Sequence, residues 1–154
     1  MAPFTSILLS FVLAASVISA PIHKARQLGD LQCNVDRLSI INQVSKTQSL
    51  ISEVQNANST LLDLPTQSAL AVAQTGLSQV NLAVQTILDA ALQNQTAPAA
   101  SRDQVSDGLD AALEGLQSAS KTIQDSGLNA TIADAISSVI QAGQDGNNVV
   151  ADCK

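Results

Sequence analysis

The 154-residue chain contains no Trp and no Tyr, and its two Phe residues, Phe4 and Phe11, both fall in the first eleven positions. Beyond that opening the core has to be assembled from Leu, Ile, Val and Ala, and no aromatic ring is present against which a sugar could be held. Histidine occurs once, at His23. A chain without His or Tyr past that point lacks the usual general bases and nucleophiles, which excludes Ser-His-Asp and Cys-His arrangements and predicts a non-enzymatic protein without a cofactor or catalytic residues. Basic clusters are missing as well. From Gln27 onward only Arg37, Lys46, Arg102, Lys121 and Lys154 oppose thirteen acids, a formal charge of −8. Such an acidic surface argues against nucleic acid and anionic membranes as partners.

Long apolar runs are equally scarce. The single one, Ile7 to Ile18, is too short to span a bilayer comfortably and is followed by the small residues Ser19 and Ala20. It reads as a secretory signal peptide covering residues 1–19, with cleavage after Ser19 or Ala20. Residues 20–27, basic and without periodicity, read as a short pro-segment trimmed near Arg26 or as a flexible arm. No second apolar run follows, so neither a transmembrane nor a lipid anchor is expected, and the domain is expected to occupy residues 28–154 as a secreted, extracellular protein.

What the chain does have is helical periodicity. Leu70, Ala73, Leu77, Val80, Val84, Ile87 and Ala91 recur at alternating steps of three and four, one apolar stripe on one long helix. Three further stripes match it. The first, on a helix from about Asn34 to Asn56, is Val35, Leu38, Ile41, Val44, Ile51 and Val54, interrupted by Thr47 or Gln48. The third, opened by a capping box at Ser101 and Gln104 and stopped at Gly127, is Val105, Leu109, Ala112, Leu116, Ala119 and Ile123. The fourth, starting at or just after Asn129, is Ile132, Ile136, Val139, Gly143, Gly146, Val150 and Cys153. Asp63 or Thr66, flanking Pro65, starts the second helix. Matched lengths and short links predict an all-α fold, an antiparallel up-and-down bundle of four helices, or five at most.

Cys33 and Cys153 are the only cysteines. In a secreted chain this predicts one intramolecular disulfide, and an antiparallel four-helix bundle brings the two positions to the same end. Two isolated cysteines with no histidine nearby make a redox or metal site unattractive. Asn58, Asn94 and Asn129 each begin an acceptor triplet for N-linked sugar, and each falls at an expected inter-helix link; Asn and Thr are also ordinary turn and cap residues.

Asp103, Asp107, Asp110 and Glu114 sit three or four residues apart on the third helix. They read as a solvated face in preference to a calcium patch or a glycosidase pair, because no loop of calcium-binding spacing is present. The small residues within the stripes are more informative. Ala73, Ala91, Ala112, Ala119, Gly143 and Gly146, with Val80 beside them, either let the helices approach closely or line an apolar pocket. Apolar residues off the main seams, at Ile40, Val72, Leu82, Leu88, Leu113, Ile140 and Val149, would widen the core or make the surface sticky.

A disulfide-tied, aromatic-free helical bundle with a Ser-, Gln- and Asn-rich surface resembles the fungal hydrophobic surface binding protein A and cell wall galactomannoprotein family. The resemblance rests on this overall pattern over most of Gln27 to Lys154, on the Leu31-Gln32-Cys33-Asn34-Val35 opening and on the Val149-Val150-Ala151-Asp152-Cys153 ending. It implies a secreted or wall-associated protein that holds a fatty acid or other lipid between its helices or adsorbs to a hydrophobic surface. The alternative is a structural cell-wall glycoprotein or secreted effector with a protein or wall-polymer partner.

Overall fold

The computed structural model describes residues 31–57, 62–93 and 95–153. The expected signal peptide at 1–19, the pro-segment or arm expected at 20–27 and the first two expected sugar acceptors, Asn58 and Asn94, lie outside the described residues. Four helices make up the bundle: α1 (Leu31–Asn56), α2 (Leu64–Leu92), α3 (Ala99–Thr122) and α4 (Ser126–Asp152). Among the described residues none is long and apolar enough to cross a membrane.

Cross-helix contacts fix the antiparallel order. Cys33 near the start of α1 is bonded to Cys153 at the end of α4, with Cα atoms 5.2 Å apart. Further along the same pair, the Ser39 hydroxyl donates to the Asp145 carboxylate. The Thr66 and Thr122 hydroxyl oxygens, 2.6 Å apart, join the start of α2 to the end of α3. The four helices share one aliphatic core, which includes Ile51 and Val54 of α1, Leu70 and Leu77 of α2, Leu116 of α3 and Ile132 of α4. Contact between neighbours is uneven. α1 lies along α4 and α2 along α3 in extensive interfaces, while α1 against α2 and α3 against α4 touch far more sparingly.

The stripes of α2 and α3 are buried as their spacing predicts, with Val84, Ile87 and Val105 only partly covered. The other two require correction. On α1 the buried face is Cys33, Asp36, Ile40, Val44, Thr47, Ile51 and Val54, leaving Val35 and Leu38 exposed. Cys33 has to face α4 to reach Cys153, and positions three and seven further on turn inward with it. Thr47 is no interruption, because its hydroxyl donates to the Gln43 carbonyl at 2.8 Å and its methyl group is free to join the core. On α4 the inward residues are Ile132, Ala135, Ser138, Val139, Ala142 and Asp145, while Val150 is exposed and Gly143 and Gly146 are only half-buried.

The start of α2 agrees with its sequence, but both ends of α3 and the start of α4 differ. Asp63 caps α2 through the Thr66 amide at 2.9 Å, as expected, with Pro65 in the first turn. By contrast α3 begins at Ala99 with Pro98 as its cap, so Ser101 lies inside the helix, buried, and no capping box forms. Gly127 stops nothing, since α3 ends at Thr122 and Asp125 caps α4 through the Leu128 amide at 2.9 Å. An Asp three residues before an unpaired amide is the stronger start signal, and it pulls the helix N-terminus back past the glycine.

Candidate functional site

The small residues define the most distinctive surface in the molecule, the seam between α2 and α3. A Cβ on Gly115 would stand 2.6 Å from the Ala69 carbonyl oxygen and 2.7 Å from the Ala73 nitrogen. A Cβ on Gly108 would stand 2.7 Å from the Gly76 carbonyl oxygen and 2.8 Å from a Val80 methyl, and one on Gly76 would strike the Gly108 carbonyl and the Ala112 nitrogen. Backbone therefore meets backbone, closer than helices carrying larger side chains can approach. Ala69, Gly76, Ala83 and Ala90 recur every seventh residue on α2, all buried; Ser101, Gly108, Gly115 and Thr122 do the same on α3, the first three buried. That heptad of small residues was the signal that could have located the seam from sequence, because a repeat of seven keeps one narrow face turned to a partner.

Of the residues considered as pocket lining, Ala73, Val80 and Ala112 stand against these glycines and close the seam. Ala119 is buried in the aliphatic core, and Ala91 is buried outside that cluster. Gly143 and Gly146 belong to no seam, for a Cβ on either would meet nothing within 4 Å. Their spacing puts them in a stripe that lies one residue beyond the inward face of α4, on Gly146 where Asp145 turns inward.

The disulfide end has a different character. Asp36 and Asp145 are both buried there, in helices whose other inward residues are mostly apolar. Asp145 accepts from Ser39 and, at 2.9 Å, from Gln141. Asp36 accepts from Gln32 at 3.0 Å, while its second oxygen is buried without a hydrogen-bond partner among the described residues. Next to it Arg37 is half-buried, and desolvation holds its guanidinium below the ordinary value. Among the described residues no group of three His, Cys, Asp or Glu side chains is placed to hold a metal.

Asn129 does not lie in a link. It sits in the first turn of α4, where its side-chain oxygen accepts from the Ser120 hydroxyl at 2.7 Å. Asp103, Asp107, Asp110 and Glu114 all face solvent. Several large aliphatic residues are exposed too. Leu31, Val35 and Leu38, at steps of four and three on one face of α1, are 79%, 47% and 65% exposed. Val72, Leu82, Leu88 and Ile140, set aside from the seams by their spacing, are also exposed, whereas Ile40 is buried. No protein-family model matches the chain, and neither a curated protein nor a solved structure shows significant similarity to it.

Proposed function

We propose that this is a secreted, non-enzymatic protein that attaches to extended hydrophobic surfaces, in the manner of the hydrophobic surface binding protein A and cell wall galactomannoprotein family it resembles. The observation that carries this reading is the face of α1 formed by Leu31, Val35 and Leu38, three large aliphatic side chains held in water side by side at the disulfide end. Full burial of such a side chain contributes about 1.5–3 kcal/mol, so three delivered together to an apolar solid give a useful adhesion energy. The acidic remainder of the surface keeps free molecules apart through like-charge repulsion. Secretion is supported by the apolar run Ile7 to Ile18 and by the disulfide, which suits an oxidising compartment. A lipid held inside the bundle is the weaker version, because Ala73, Val80 and Ala112 pack against the glycines of the neighbouring helix and leave no opening between α2 and α3.

Depletion from solution by a polyester or wax suspension tests the reading, followed by peptide-bond absorbance since Trp and Tyr are lacking. The wild-type protein is expected to be removed more completely than an equally acidic helical control, and a Leu31→Ser, Val35→Ser, Leu38→Ser variant of unchanged circular dichroism should fall to the control level. Equal recovery of all three proteins overturns it. Co-purified fatty acid found by native mass spectrometry, with a melting temperature raised by added fatty acid, would instead favour the internal site.

A further inference from the structure

We infer that the bundle is a jaw: on an apolar surface it opens at the disulfide end into two intact helix pairs, α1 with α4 and α2 with α3, and presents their inner aliphatic faces to that surface. The inference rests on the reading of surface attachment and supplies its mechanism. Topology is the first support. α1 ends at Asn56 and α2 begins at Leu64 at one end of the bundle, and the short link Ile123-Gln124-Asp125 joins α3 to α4 at that same end. The opposite end holds the disulfide, which ties α1 to α4 within one pair, and the turn from α2 to α3, which lies within the other. Both chain crossings between the pairs are therefore at one end, as in a hinge.

Packing follows the same division. Each pair is held by something that does not depend on the other, the covalent tie and the Ser39–Asp145 hydrogen bond in one, the glycine seam and the Thr66–Thr122 contact in the other. Two hydrogen bonds that cross between the pairs, Gln74 to Gln55 at 2.8 Å and Ser120 to Asn129 at 2.7 Å, both sit toward the link end. The most completely buried large side chains, Ile51, Leu70, Leu77, Leu116 and Ile132, lie in the link half or near the middle. Partly covered aliphatic residues occur toward both ends, Leu50 and Leu128 near the links and Ile87, Val105 and Val149 near the disulfide, but only at the disulfide end does a buried carboxylate, Asp36, leave an oxygen unsatisfied among the described residues, which lowers cohesion there. Leu31, Val35 and Leu38 lie at this same end, so first contact with a surface is made where the jaw opens.

The test is distance measurement by paired spin labels on the disulfide-intact protein, free and adsorbed to polystyrene beads. Asp103→Cys with Asn147→Cys spans the two pairs at the disulfide end; Ser118→Cys with Ala133→Cys spans them at the link end; Thr86→Cys with Asp103→Cys lies within the α2–α3 pair. All five positions are exposed. On adsorption the first distance should grow by at least a helix diameter, about 10 Å, while the other two hold. An adsorbed protein whose first distance is unchanged overturns the jaw and leaves surface attachment standing. So does an increase in all three distances, which is general unfolding. Failure to adsorb at all removes the attachment reading and the jaw with it.

Discussion

The α2–α3 and α1–α4 pairs perform the same task, a long antiparallel contact built without aromatic side chains, by different means. In α2–α3 the glycines at 76, 108 and 115 bring backbone against backbone, so many small dispersion contacts replace a few large side chains. In α1–α4 the inward faces carry Asp36, Thr47, Ser138 and Asp145 among their aliphatic residues, and a disulfide closes the open end. Shape holds one pair and a covalent bond holds the other. The contrast explains why loss of a single group should act so differently in the two.

The largest effect is expected from removing the tie. Joining residues 120 apart restricts the unfolded chain by about 4–5 kcal/mol in the loop-entropy description, so Cys33→Ser with Cys153→Ser should lower stability by up to that amount in urea unfolding. Hydrogen exchange should then accelerate first in the opening turns of α1 and the closing turns of α4 while α2 and α3 remain protected. Uniform acceleration across all four helices would show that the pairs are not separately held.

Next in size is a side chain forced into the seam. Gly115→Val places branched carbon against the Ala69 carbonyl and the Ala73 nitrogen, where backbone cannot step aside without parting the helices. Overpacking of this kind costs about 1–3 kcal/mol and here should reach the upper end. Gly143→Ala is its counterpart in the other pair. The added methyl meets nothing within 4 Å, and relief of glycine's flexibility should raise stability by about 1 kcal/mol. Thermal unfolding followed by circular dichroism reads both, and a destabilising Gly143→Ala would break the distinction between the pairs.

That distinction also sets how much was legible in the sequence. On α2 and α3 the apolar spacing points to the inward face, and Leu70, Leu77, Leu109 and Leu116 are buried on it beside the small residues of the seam. On α1 a covalent constraint outranks hydropathy: with Cys33 turned to its partner, Asp36 is carried inward and Val35 and Leu38 outward. No scale of side-chain hydrophobicity orders Asp above Val, so hydropathy points to the opposite face of the first turns. The small residues raise a related difficulty. Glycines at 143 and 146 stood out inside an apolar stripe, whereas Gly76, Gly108 and Gly115 gain meaning only once two helices are known to face each other.

The smallest effect concerns the start of the glycine-seamed pair. The Asp63 carboxyl is held below its ordinary value by the Thr66 hydroxyl and amide, which favour the charged form at the helix N-terminus. A group lowered in this way stabilises the fold fully above its unfolded value, and that contribution is lost as pH falls through the lower folded value. Acid should therefore fray the first turn of α2, and Asp63→Asn, which keeps a capping oxygen without a titrating charge, should flatten that part of the profile. Exchange at the Thr66 and Gln67 amides between neutral and acid pH checks it, since these donate to the Asp63 side chain and carbonyl. Acid loosening confined to this turn, with the glycine contacts deeper in α2 still protected, would show that backbone approach holds the α2–α3 pair independently of its cap. Loosening that spreads down the seam would make the cap part of what keeps the backbones together.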